Sequence, residues 1–87
     1  MDAPKPAVRY ENDTEVSVVV RVVGHQGVLD RAVGSHGTTS LGVDECVGEG
    51  LVVETEDGRL VGRVPEPACP GWLLSIGEDG SLTYEAE

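Results

Sequence analysis

The chain has 87 residues, a hydrophobic fraction of 39% and a formal net charge of −10 at pH 7. A chain of this length forms one domain, and such a domain buries only about 60% of its unfolded surface, which leaves little room for an enclosed cofactor cavity. A large catalytic architecture is therefore excluded. The charge also disfavours direct binding to nucleic acid or to anionic membranes, because both require Lys or Arg side chains.

The N-terminal residues are polar and rich in Pro, and they predict a flexible tail over 1–7 that precedes a single domain over 8–87. No run of about 18 apolar residues is present, so no membrane span is expected. A start of this composition is typical both of an exported chain after signal cleavage and of an ordinary cytosolic tail. Both origins stay open at this point.

Short Val-rich blocks separated by turn residues predict strands, because Gly or Pro interrupts almost every window long enough for a helix. The aromatic fraction is only 3%, so we expect a core of small branched side chains. Strands are predicted over residues 8–11, 15–23, 28–33, 38–43, 51–56, 59–64, 72–76 and 81–84. Seven or eight short strands with a turn about every ten residues predict an all-β fold, a small antiparallel β-sandwich or partly open barrel of immunoglobulin-like size.

The second and third predicted strands form a hairpin. A two-residue His25-Gln26 loop pairs positions whose numbers sum to 51 and sets Arg21 opposite Asp30, two residues of opposite charge. The same register pairs Val22 with Leu29 and Val23 with Val28.

The sequence Asp57-Gly58 predicts a second hairpin with a two-residue type I′ turn. Paired positions then sum to 115, and the expected core face carries Leu51 with Val64, Val53 with Gly62 and Thr55 with Leu60. The opposite face pairs Glu54 with Val61 and Glu56 with Arg59.

The last hairpin surrounds Glu78-Asp79-Gly80. A three-residue loop with Gly80 in the left-handed conformation places apolar side chains opposite each other on both strands. The expected pairs are Ile76 with Leu82, Leu74 with Tyr84 and Trp72 with Ala86. Trp72 is expected on the core face.

The residue numbers of Cys46 and Cys69 also sum to 115. The two cysteines therefore face each other if the pairing of the second hairpin continues beyond its strands. This geometry predicts a disulfide, and two unlinked buried thiols are the alternative. A disulfide implies an oxidising compartment, hence a secreted or cell-surface protein, whereas free thiols favour a cytoplasmic one.

No constellation of catalytic or metal-binding residues is evident. His25 and His36 each lie in a Gly-flanked turn, and no Cys-x-x-Cys or closely spaced His pair would present metal ligands from one segment. We therefore expect no metal, no cofactor and no enzymatic activity. The sequence Asn12-Asp13-Thr14 matches an N-glycosylation site, a pattern that is common by chance.

Two functional hypotheses follow. The first is a non-enzymatic, exported binding module, a monomer or weak dimer, that binds a protein partner through its turns or an edge strand. The second is an intracellular acidic inhibitor or immunity-type protein that covers a basic site on an enzyme or DNA-binding protein. The candidate partner-binding residues are Asp44, Glu45, Glu49, Glu54, Glu56, Glu78 and Asp79.

Overall fold

The computed structural model describes residues 6–25 and 28–87, which form eight strands and no helix. The strands are β1 (Ala7–Asn12), β2 (Val18–Val22), β3 (Arg31–Val33), β4 (Thr38–Gly42), β5 (Leu51–Thr55), β6 (Leu60–Val64), β7 (Trp72–Ile76) and β8 (Leu82–Ala86). They make two four-stranded sheets, the first in the order β4-β1-β7-β8 and the second in the order β3-β2-β5-β6. The predicted small all-β sandwich is confirmed.

All neighbouring strands in the described ranges are antiparallel except β1 and β7, which run parallel. Parallel strands need a long crossover connection, and here the connection includes the whole second sheet. As a result β1 lies in the interior of the first sheet, hydrogen-bonded to β4 on one side and to β7 on the other.

The core lies between the two sheets. Alternate residues of β2 face it, since Val18, Val20 and Val22 are buried whereas Arg21 is exposed. The strand predicted over 15–23 would place Val16 on the same face by alternation, but β2 begins at Val18 and Val16 is 52% exposed. The other buried apolar residues of the core are Val8, Tyr10, Val33, Leu41, Val43, Leu51, Val53, Val64, Ala68, Leu74 and Ile76.

Tyr10 is the largest fully buried side chain. Burial, and secondarily the neighbouring Tyr84, raises the pKa of Tyr10 to about 12. Its hydroxyl has no hydrogen-bond partner among the described residues.

The register of 51 between β2 and β3 is confirmed, with Val18 opposite Val33 and Val20 opposite Arg31. The predicted ion pair also forms, since Arg21 Nη1 lies 3.7 Å from Asp30 Oδ2. The ladder is shorter than expected. The predicted pairs involving Val22 and Val23 are absent from it, and the Val23 N–H donates to the carbonyl of Gly50 beside β5. Gln26 of the predicted loop lies outside the described residues.

The prediction for the second hairpin is correct at its base and wrong at its tip. The register of 115 extends from the pair Leu51 and Val64 to the pair Val53 and Gly62, and then shifts so that Glu54 lies opposite Leu60. The loop therefore has three residues, 56–58, and the expected two-residue turn is wrong.

Hydrogen bonding explains the shift. The Thr55 N–H donates to the Arg59 carbonyl at 2.8 Å, and Gly58 takes a positive φ of 90° while Asp57 does not. One extra residue, Val61, then bulges from the ladder. The bulge turns Leu60 to the outside, where it is 50% exposed, instead of placing it in the core as expected.

The last hairpin has the predicted three-residue loop and the predicted register. Gly80 has a φ of 85°, and Gly77 donates its N–H to the Ser81 carbonyl across the loop. Trp72 is half-buried against the core, with its ring centroid 4.9 Å from that of Tyr84.

The predicted disulfide is present between Cys46 and Cys69, whose Cα atoms are 4.0 Å apart. Directly beside it Val47 and Ala68 form an isolated antiparallel bridge. Their numbers also sum to 115, so the direction of pairing persists from the hairpin to the cysteines, as expected.

Residues 1–5, most of the predicted N-terminal tail, lie outside the described residues. The Pro6 carbonyl already accepts a hydrogen bond from the Val43 N–H, and β1 begins at Ala7. No helix long and apolar enough to cross a bilayer occurs in the part of the chain that the structure describes.

Candidate functional site

The sandwich has two ends of different construction. The turns between β1 and β2, β3 and β4, β5 and β6, and β7 and β8 meet at one end, here called the turn end; they comprise residues 13–17, 34–37, 56–59 and 77–81. The connections between β2 and β3, β4 and β5, and β6 and β7 meet at the opposite end. We call this the disulfide end, because it carries Cys46 and Cys69.

The structure divides the seven predicted partner-binding residues among three places. Asp44, Glu45 and Glu49 are exposed at the disulfide end, whereas Glu56, Glu78 and Asp79 are exposed at the turn end. Glu54 lies between the ends on the outer face of the second sheet. It is half-buried and its Oε1 lies 3.1 Å from Arg21 Nε, so an intramolecular ion pair already uses this carboxylate.

A shallow depression of about 670 Å³ opens at the turn end. It lies between the two sheets. Residues of all four turn-end connections and the start of β6 line it, but the tip of the β5–β6 loop does not. A neighbouring hollow of about 470 Å³ shares Val16 and Arg59 with it and continues to the tip of that loop.

The depression has apolar side chains at its surface. Val16 and Leu60, which are each about half exposed, both line it. The more buried Val18 and Val61 line it as well. Leu60 was expected on a core face and Val16 inside a strand over 15–23, so this apolar surface was not predicted. Its cause is local, since Val16 precedes the first residue of β2 and Leu60 is turned outward by the bulge at Val61.

Carboxylates surround these apolar side chains. The acidic residues of the turn end are Asp13, Glu15, Glu56, Asp57, Glu78 and Asp79. Arg59 and His36 are the basic residues that line the two hollows. Six carboxylates against one guanidinium give this end a strongly negative potential, which attracts a basic ligand or surface.

Two of these carboxylates hold their own loops in shape. The Thr55 hydroxyl donates to Asp57 Oδ1, and the Ser81 N–H donates to Asp79 Oδ1 at 3.0 Å. Hydrogen bonds from Thr55, and from the backbone of Arg59, lower the pKa of Asp57. Hydrogen bonds from the Ser81 side chain and backbone lower the pKa of Asp79. Both groups are therefore ionised acceptors at neutral pH.

The buried side chain of Asn12 holds the turn end together through hydrogen bonds, a role that was not predicted from the sequence. Its side chain is 1% exposed, and its Nδ2 lies within hydrogen-bond distance of the carbonyls of Val16, Val33 and Gly34, at 2.8, 3.2 and 3.1 Å. Its Oδ1 accepts hydrogen bonds from the Thr14 N–H and hydroxyl at 3.0 and 2.6 Å.

These bonds tie the β1–β2 turn to the β3–β4 turn. The link continues through the Thr14 carbonyl, which accepts from His36 N–H and from the Ser35 hydroxyl. The Asn-x-Thr pattern at a strand end is the available signal, because an Asn side chain often bonds the backbone two residues later. Since the Asn12 amide nitrogen is engaged and buried, the apparent glycosylation site is inaccessible in the folded chain.

The histidines do not assemble with other functional groups. His25 follows β2 at the disulfide end, and His36, with a φ of 53°, lies in the β3–β4 turn at the turn end. Within residues 6–25 and 28–87, no three His, Cys, Asp or Glu side chains are arranged to hold a metal ion. The turn end combines exposed carboxylates with apolar side chains, and its hydrogen-bonded Asp side chains hold the loops in shape.

No protein family, characterised protein or solved structure matches this chain.

Proposed function

We propose that the protein is a non-enzymatic binding module whose turn end docks on a basic surface of a partner protein. The observation that carries this proposal is the depression at the turn end, in which the half-exposed Val16 and Leu60 lie among four carboxylates, with two more lining the neighbouring hollow. The two kinds of group have separate tasks. Apolar side chains at the centre of an interface supply affinity, and the charged rim increases the association rate and selects partners of opposite charge.

The rigidity of the turn end supports the same proposal. Asn12 holds the β1–β2 and β3–β4 turns, and Asp57 and Asp79 hold the other two, through hydrogen bonds to side chains or backbone. A preformed surface loses little conformational entropy on binding, so more of the contact energy appears as affinity.

The compartment is a second part of the proposal. The Cys46–Cys69 disulfide supports an exported protein, because disulfides persist in oxidising compartments. Protein recovered from its native host should then show no free thiol when alkylated without reductant. Two alkylated thiols would favour the intracellular acidic inhibitor, which would use the same carboxylates on an enzyme or DNA-binding protein.

The experiment is affinity capture from extracts of the native host with matched variants. Val16→Ser with Leu60→Ser removes the apolar side chains of the turn end. Val28→Ser is the control, because Val28 is 77% exposed at the disulfide end. We expect the wild type and the control to retain the same basic protein and the turn-end variant to lose it.

A second matched pair of variants tests how much the carboxylates of the turn end contribute to capture. Asp13→Asn with Glu78→Gln removes two charges at the turn end, and Asp44→Asn with Glu45→Gln removes two at the disulfide end. Only the first pair should weaken capture, and retention by the wild type should fall as salt rises. Equal retention by all variants would contradict the turn end as the binding site. An enzymatic activity that one point substitution abolishes would contradict the binding-module proposal itself.

A further inference from the structure

Among the described residues, no backbone group is hydrogen-bonded to the outer edge of β4. Asn12 N–H donates to the Gly37 carbonyl, and Val43 N–H donates to the Pro6 carbonyl, which fixes the alternation of hydrogen-bonded pairs between β1 and β4. The residues at odd positions of β4 therefore direct their N–H and C=O groups to β1. The residues at even positions, Thr38, Ser40 and Gly42, direct theirs away from the sheet.

The other three edge strands each carry a feature that prevents pairing with another chain. In the described structure β3 has only three residues, β6 contains the bulge and Arg63 and is followed by Pro65, and β8 carries Glu85. Short length, bulges, charges and Pro are the usual protections of a sheet edge. The sequence of β4, Thr-Thr-Ser-Leu-Gly, has none of them.

The edge is also complementary to itself. Thr38, Ser40 and Gly42 are exposed and uncharged, with small side chains, and they are symmetric about Ser40. An antiparallel copy centred on Ser40 would place Ser40 opposite Ser40 and Thr38 opposite Gly42. Each outward N–H would then meet a carbonyl across the two-fold axis, as a closed isologous interface requires.

This edge is less suited to bind a peptide from a different protein. Strand addition of a peptide gains its specificity from pockets that take alternate side chains. The two hollows at the turn end and a third beside Val23 and Pro65 take no lining from β4.

We propose that β4 pairs with the β4 of a second copy of this chain and joins two first sheets into one continuous eight-stranded sheet. The interface involves two five-residue strands, far below the standard interface of about 1,600 Å², so the dimer is weak, with a dissociation constant on the order of a millimolar. This association is independent of the turn end, which stays exposed in both copies.

Salt distinguishes this contact from the proposed partner complex. Two chains with a net charge of −10 repel each other, so added salt should strengthen the β4 dimer by screening. The same salt should weaken a complex of the turn end with a basic protein. The two proposals can therefore fail separately.

The first test compares the wild type with the Ser40→Pro variant. Sedimentation equilibrium and amide NMR shifts over a concentration series measure the dissociation constant of the dimer. The Ser40 N–H makes no bond to β1, so Pro removes only an edge donor, a position where strands tolerate it. Ala86→Pro is the matched control, because the Ala86 N–H points outward on the opposite edge of the same sheet. We expect Ser40→Pro to raise the dissociation constant about tenfold or more and the control to leave it unchanged.

A second pair covers the case in which Pro disturbs the fold. Ser40→Lys places two like charges opposite each other at the two-fold axis, and Thr83→Lys adds the same charge to the same outer face at the other edge. Only Ser40→Lys should weaken association. A wild type that stays monomeric with concentration-independent shifts, or association that neither Ser40 variant weakens, would overturn the proposal.

Discussion

The two ends of the sandwich are stabilised by different means. At the disulfide end a covalent bond joins the β4–β5 connection to the β6–β7 connection, and the Tyr84 hydroxyl adds hydrogen bonds to the backbone at Pro67 and Cys69. At the turn end the connections are held by side-chain hydrogen bonds, chiefly those of Asn12.

Under the proposed function, this difference separates the features that stabilise the fold from the surface that binds a partner. The disulfide restrains two longer connections in which Gly and Pro are frequent, whereas the shorter loops of the turn end are held by side-chain hydrogen bonds. Changes at the disulfide end should therefore affect unfolding more than binding.

The largest effect is expected from Cys46→Ala with Cys69→Ala. The disulfide closes a loop with a sequence separation of 23 residues, and a loop of this size contributes about 3 kcal/mol to the free energy of unfolding. For a domain of this length that corresponds to a fall in Tm on the order of 15 °C. Thermal unfolding followed by circular dichroism, with and without reductant, measures the loss.

Partner capture is the control for this variant. At a temperature where the variant remains folded, capture through the turn end should be preserved. A loss of binding by the folded variant would show that the two ends are coupled and would break the comparison.

The next largest effect is expected from Asn12→Ala. The change removes the donor from the carbonyls of Val16, Val33 and Gly34, which are buried or partly buried. We expect this loss to lower the free energy of unfolding by about 2 kcal/mol. Urea unfolding gives the difference. Asp13→Ala, at the exposed neighbouring position, should stay within about 0.5 kcal/mol of the wild type. Unlike the loss of the disulfide, Asn12→Ala should also weaken partner capture, because it releases the turns that form the depression.

Removal of single hydroxyl groups should have a smaller effect that depends on the site. In Tyr84→Phe the Cys69 N–H and the Pro67 carbonyl lose a partner, and we expect a loss of about 1 kcal/mol. In Tyr10→Phe a buried hydroxyl with no partner among the described residues disappears, so stability should be unchanged or higher. Equal destabilisation by both substitutions would contradict the assigned role of Tyr84.

The smallest effect on stability is expected from lowering the pH. Because hydrogen bonds lower the pKa of Asp57 and Asp79 below the ordinary value of 3.8, these carboxylates stabilise the folded state above that pH. The contribution is lost as the pH falls from 3.8 through the lower folded values. Urea midpoints measured down this range should fall less steeply in Asp57→Asn and Asp79→Asn. Asp44→Asn, whose carboxylate accepts no hydrogen bond among the described contacts, is the charge-matched control.

The two Glu-Asp-Gly loops show how far local sequence can be interpreted. Both loops have three residues with the Gly at positive φ. At 78–80 apolar pairing across the strands selected this loop correctly. At 56–58 the Asp57-Gly58 pair suggested a tighter turn, and the apolar pattern agreed with it because Leu60 matched the core face. The hydrogen bonds of Thr55 to the loop instead favour three residues, and the bulge at Val61 follows.

The sequence by itself determined that eight short strands form, the registers of the three hairpins apart from the tip of the second, and, through that second register, the Cys46–Cys69 pair. These features depend on residues close in the chain or on a register that a turn transmits along a hairpin. Only the tertiary structure decided that β1 and β7 run parallel, that four turns converge at one end and that Asn12 is buried beneath them. Those features depend on contacts between segments far apart in the chain, which no local spacing of residues specifies.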